Sequence, residues 1–111
     1  MRNKYNATKT TIDGIKFDSK KEANRYLELK LLEKAGEITQ LELQPRYLLQ
    51  PAFGKNSKKY RKIEYVADFQ YLDMKTKERI VEDSKGFETA VFKMKKKMFE
   101  YTYQGLTLLI T

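Results

Sequence analysis

The sequence predicts a mixed α/β fold, a β-sheet flanked by helices, and three observations carry that reading. Two segments, residues 19–36 and 89–103, hold apolar side chains at helical spacing, and a glycine stop signal ends each. Shorter segments around them alternate apolar and polar residues, as half-buried strands do. The order is strand hairpin, helix, three or four strands, helix, strand, which is a mixed layer structure. At 111 residues the chain reads as a single domain, 1–111, able to bury about two thirds of its unfolded surface.

Residues 1–8 are polar and read as a frayed, flexible start. Asp13-Gly14 suits the centre of a type I′ turn, so short strands should flank it and end near Phe17. Ser19 and Glu22 form a capping-box pattern, and Gly36 stands where a helix stop belongs. Between them Ala23, Tyr26, Leu27 and Leu31 recur at helical spacing, widened by Leu29 and Leu32. Residues 38–43 alternate as a strand, Pro45 marks a bend or edge, and residues 47–49 form a further short strand. Residues 51–59, with Gly54, Asn56 and Ser57, read as a loop. Ile63, Tyr65, Ala67, Phe69 and Tyr71 alternate without a break and predict the longest strand. Residues 74–77 are a turn, and residues 80–84 are the returning strand, closed by Gly86. The second helix has Val91, Phe92, Met94, Met98 and Phe99 as its apolar side, and Gly105 precedes a final strand at 106–110.

Composition narrows the chemistry. There is no cysteine and no histidine, so disulfides, thiolate or imidazole zinc sites, cysteine nucleophiles and histidine acid–base catalysis are all excluded. Hydrolysis would have to rest on carboxylates, lysines and a hard, oxygen-liganded metal. The net charge of +8 favours a polyanionic partner, nucleic acid before membrane. The start of the chain has no apolar stretch of a secretory signal, and no apolar run is long enough to span a bilayer; a cytoplasmic location is expected.

An acidic-x-Lys pattern occurs at Asp18, Glu28, Asp73 and Asp83, but only Asp83-Ser84-Lys85 falls on an expected strand. Strand geometry puts Asp83 and Lys85 on one face and turns Ser84 and the neighbouring Glu82 to the other. A four-residue turn at 74–77 pairs Leu72 with Arg79, which sets Asp68 opposite Asp83, their Cβ atoms about 4.5–5.5 Å apart. Like charges so placed are destabilising unless a cation lies between them. Glu22, one turn before Tyr26, is a third candidate acid if it is not consumed by the helix cap.

Taken together, Lys16-Phe17-Asp18-Ser19-Lys20-Lys21-Glu22-Ala23, Leu43-Gln44-Pro45, Tyr65-Val66-Ala67-Asp68-Phe69 and Val81-Glu82-Asp83-Ser84-Lys85-Gly86 resemble the PD-(D/E)xK nuclease superfamily. More narrowly, the chain is similar to a phage-associated family of small basic domains of unassigned function related to Holliday junction resolvases. The resemblance implies a restriction-endonuclease-like core and a Mg²⁺ (or Mn²⁺) dependent DNA endonuclease. It implies Glu22, Asp68 and Asp83 as metal ligands and Lys85 as the catalytic lysine. Two departures stand out: Ala67 replaces the proline of the motif name, and aspartate replaces the commoner glutamate at position 83. Branched or structured DNA as substrate, a symmetric homodimer and, for a phage protein, the bacterial host cytoplasm also follow from the resemblance alone.

In that chemistry a metal on Asp68 and Asp83, helped by the Ser84 carbonyl and Glu22, would neutralise a phosphodiester and acidify a water. Lys85 would orient the attacking oxygen or stabilise the transition state. Two basic clusters are candidate phosphate contacts: Lys58, Lys59 and Arg61, with Lys55 and Lys62, around Tyr60, and Lys93, Lys96 and Lys97 on the second helix, opposite Met94 and Met98. The alternative is a non-catalytic DNA-binding or assembly protein that keeps the nuclease-like fold.

Overall fold

The computed structural model describes residues 9–111; the expected frayed segment at 1–8 lies outside them. The described chain is mixed α/β. A four-stranded sheet has the order β10-β9-β8-β3 and is accompanied by three two-stranded ribbons, β1-β2, β4-β7 and β5-β6. These are β1 (Thr10–Ile12), β2 (Ile15–Phe17), β3 (Ile38–Leu43), β4 (Arg46–Gln50), β5 (Phe53–Lys55), β6 (Lys58–Tyr60), β7 (Ile63–Val66), β8 (Phe69–Asp73), β9 (Arg79–Asp83) and β10 (Thr107–Ile110). The helices are α1 (Lys20–Lys34) and α2 (Ala90–Thr102).

Local chemistry sets most boundaries. Asp13 and Gly14 both have positive φ (53° and 76°), and the turn pairs Ile12 with Ile15. Ser19 Oγ accepts the Glu22 amide and caps α1. At the other end Gly36 (φ 80°) lets the Gly36 and Glu37 amides reach the Glu33 and Leu32 carbonyls, a Schellman closure. Thr89 caps α2 in the same way, accepting the Phe92 amide.

The two helices lie on opposite sides of the sheet. Ala23, Tyr26 and Leu29 of α1 pack with Phe69, Tyr71 and Ile80, whereas Phe92 and Phe99 of α2 pack with Tyr47, Tyr65 and Val81. Adjacent Ile80 and Val81 therefore serve different cores, as the two-residue period of a strand requires. The expected apolar stripes are corrected on both helices. Leu27 and Leu31 are exposed on α1, and Val91 and Met94 are exposed on α2. Each helix presents to the sheet a narrower strip than its apolar content predicts.

Two further differences shape the site. The strand expected over residues 63–71 is broken at Ala67-Asp68 into β7, which pairs with β4, and β8, which pairs with β3 and β9. The partner strand bends at the same level. Pro45 offers no amide there, Gln44 takes positive φ (50°), and the bonds Gln44 N–H to Asp68 O and Ala67 N–H to Pro45 O clamp the joint. Most of residues 51–59, expected as a loop, falls in the hairpin β5-β6, which runs on to Tyr60 and is closed by Asn56 and Ser57 at φ 53° and 61°.

Candidate functional site

The register across β8 and β9 is the one the turn length predicts. Leu72 pairs with Arg79 and Phe69 with Glu82, and the Asp68 amide continues the ladder to the Glu82 carbonyl. Asp68 thus sits at the joint, beside the end of β9 that carries Asp83. The parallel neighbour β10 aligns Ile110 with Asp83, and the Lys85 amide bonds to the Thr111 carbonyl, so the ladder runs on past the strand end. Asp68, Phe69, Glu82, Asp83, Ser84 and Thr111 line a cleft of about 380 Å³ together with Lys21, Arg25 and Glu28 of α1.

Inside this cleft Asp83 is almost wholly buried, at 1% exposure. Its Oδ2 accepts the Tyr65 hydroxyl at 2.6 Å and lies 3.3 Å from Lys85 Nζ. Lys85 also rests 4.8 Å above the Phe92 ring, which holds the ammonium beside the carboxylate. Asp68 Oδ2 accepts the Ser84 amide at 2.7 Å. Burial pushes the Asp68 carboxyl up to about 7, and the charges of Asp83 and Glu22 push the same way against the Ser84 amide. Asp68 and Asp83 line the same cleft, and the Asp83 charge adds to the rise of the Asp68 pKa. Two crowded carboxylates of this kind are relieved by a proton or by a hard cation.

Glu22 stands beside the pair. It is buried, and its side chain does not complete the capping box, so the carboxylate is not spent on the helix end. Burial raises its pKa, and Asp18 and Asp83 add to the rise while Lys85 opposes it. It lines a smaller hollow of about 140 Å³ with Phe17, Leu43 and Gln44 rather than the main cleft. Among the described residues no three acidic side chains are grouped tightly enough to hold a metal ion. The donor set is therefore two convergent carboxylates, with Glu22 nearby. That suits Mg²⁺, which keeps several waters and takes few protein ligands.

Glu82 behaves as its position on the opposite face requires. It is 1% exposed and held by Arg25, with Nε at 2.6 Å and Nη2 at 3.0 Å, and by the Tyr71 hydroxyl at 2.6 Å. The Glu82 interaction in turn raises the pKa of Arg25. Tyr65, Lys21 and Arg25 are site residues that sequence reasoning missed. The i, i+4 spacing of Lys21 and Arg25 on the helix that carries Glu22 was an available signal. Nothing local marked Tyr65, which reads as core on its strand.

The basic candidates are also placed. Lys58 and Lys59 are exposed on β6, Arg61 follows them, and on α2 Lys93 and Lys97 are exposed while Lys96 is half-buried. No helix among the described residues is long and apolar enough to cross a membrane. The sequence model of one family, described as "Protein of unknown function (DUF1064)", matches residues 2–111. No curated protein and no solved structure matches the chain.

Proposed function

The chain belongs to the DUF1064 family, and we propose that it is a metal-dependent DNA endonuclease with a PD-(D/E)xK-type site on a restriction-endonuclease-like core. The observation that carries this reading is that Asp68, at the joint before β8, and Asp83, at the end of β9, line one cleft, with Lys85 Nζ 3.3 Å from Asp83. Asp68 and Asp83 would hold Mg²⁺ or Mn²⁺, with Glu22 and the Ser84 carbonyl able to complete the shell directly or through water. Such a dication supplies charge neutralisation of the phosphodiester and acidification of a water.

The chain's own groups supply the rest. The Ser84 amide fixes the Asp68 carboxylate, and Tyr65 fixes Asp83. Lys85, steered by Asp83 and the Phe92 ring, presents an ammonium to the attacking oxygen or to the charge that develops on the phosphate. Lys21 adds a cation to the cleft on the α1 side, where Arg25 is committed to Glu82 and Glu28. Lys58, Lys59 and Arg61, with Lys93, Lys96 and Lys97, supply sequence-independent phosphate contacts. Branched DNA as substrate and action as a symmetric homodimer belong to the same proposal; sedimentation of the purified protein tests the dimer.

The experiment is cleavage of supercoiled plasmid and of a four-way junction with Mg²⁺ or Mn²⁺, beside Asp83→Asn and Lys85→Ala. Metal-dependent nicking that both substitutions abolish is the expected result. Cleavage that survives both would sink the proposal. The rival reading is a non-catalytic DNA-binding or assembly protein on the same fold. Binding without cleavage in either metal would establish it.

A further inference from the structure

The hairpin β5-β6 is an arm rather than part of either core. Every residue from 51 to 62 is exposed. It extends the β4-β7 ribbon beyond the Gln50–Ile63 pair. Phe53 and Tyr60 are direct cross-strand partners on one face, with rings 4.7 Å apart and nearly parallel at 11°. They nevertheless remain 44% and 42% exposed. Two pairs further out, Lys55 lies directly opposite Lys58 on that same face, and Lys58 Nζ is 5.7 Å from the Tyr60 ring centre.

A like-charge pair directly across a two-stranded ribbon weakens it. An isolated hairpin has little stability to spare. No acid occurs between Glu42 and Glu64 to offset the charge. Lys55, Lys58, Lys59 and Arg61 have no acidic partner among the described residues. A hairpin that tolerates this arrangement is matched to a polyanion, and the aromatic pair specifies which kind. A half-exposed ring beside cations accepts the flat face of a base, and a base offers that face only where it is unpaired.

We propose that the arm is a stacking platform for unpaired bases at single-stranded stretches or discontinuities in DNA. Phe53 and Tyr60 contact the base, and Lys55 and Lys58 contact the adjoining phosphates. The choice of DNA as the polymer rests on the nuclease reading above. The stacking surface rests on the geometry of the arm.

The test uses the full chain in EDTA. The probes are a short duplex with a single-stranded gap carrying 2-aminopurine, and the same duplex without a gap. Wild type is expected to bind the gapped probe about 10-fold more tightly or better and to alter the 2-aminopurine fluorescence. The double substitution Phe53→Val/Tyr60→Val keeps a β-forming cross-strand pair but removes both ring faces. It should lose the preference and the fluorescence change while still binding intact duplex. Phe53→Tyr should keep both, and thermal melts followed by circular dichroism establish that each variant is folded. A Val/Val protein that still prefers the gap, or a wild type without preference, overturns the proposal and leaves the ring pair as a clasp for the hairpin. Cleavage is scored separately with Asp83→Asn. Its failure to need Asp83 would remove the nuclease reading while leaving a Phe53/Tyr60-dependent gap preference standing.

Discussion

Replacing Arg25 by Met should destabilise the protein more than any other single change near the cleft. The side chain donates two hydrogen bonds to Glu82, at 2.6 and 3.0 Å, and only Tyr71 would remain to hold a carboxylate that is 1% exposed. Removing one partner of a buried ion pair costs about 3–5 kcal/mol, because the other charge is stranded. Arg25 keeps 29% of its side chain in solvent, so the lower end, about 3 kcal/mol, is the expectation. For a domain of this size that lowers Tm by roughly 10 °C or more. Replacing the whole set, Arg25→Met with Glu82→Leu and Tyr71→Phe, removes the charge and the hydroxyl that depends on it. That triple variant should return to within about 1 kcal/mol of wild type, because an apolar set of similar volume carries no desolvation cost. Urea denaturation followed by far-UV circular dichroism measures both. An Arg25→Met loss under about 1 kcal/mol, or a triple variant weaker than the single, would refute the view that Arg25 exists in the fold to neutralise Glu82.

Three further outcomes are expected. Because burial pushes the folded Asp68 carboxyl up to about 7 from the ordinary aspartate value of 3.8, the native state holds the extra proton between those values. Wild-type stability should therefore fall as pH rises from about 4 to 7, and Asp68→Asn should gain on wild type over that window by about 2 kcal/mol after allowance for solvent screening. Equal pH profiles in urea titrations would count against the crowding of the two acids, and Mg²⁺ should stabilise wild type but not Asp68→Asn at pH 8. Tyr65→Phe removes the hydroxyl bonded to Asp83 and should cost about 1–3 kcal/mol in the same denaturation assay. Duplex binding through roughly six phosphates should weaken with salt at a log–log slope near −5, and Lys58→Ala/Lys59→Ala should make the slope shallower by about 2; a flat salt dependence would remove the basic clusters from the binding surface.

What the sequence determined by itself is local. The Asp13-Gly14 turn, the Ser19 cap and the Gly36 closure each depend on a few adjacent residues, and each stands where the sequence puts it. The register that carries Asp68 toward the end of β9 was legible for the same reason. A hairpin register follows from its turn, and Leu72 meets Arg79 as the turn length requires. Tertiary structure decided which apolar stripe of each helix meets the sheet. Leu27, Leu31, Val91 and Met94 fit a helical period as well as their buried neighbours, and only the position of the sheet separates them. It also decided the joint at Asp68, where the strand breaks because its partner turns at Pro45, more than twenty residues earlier in the chain. The contacts of Tyr65 with Asp83 and of Arg25 with Glu82 join residues 18 and 57 positions apart. No periodicity reports such pairs, because they exist only once packing has brought separate elements to the same edge of the sheet.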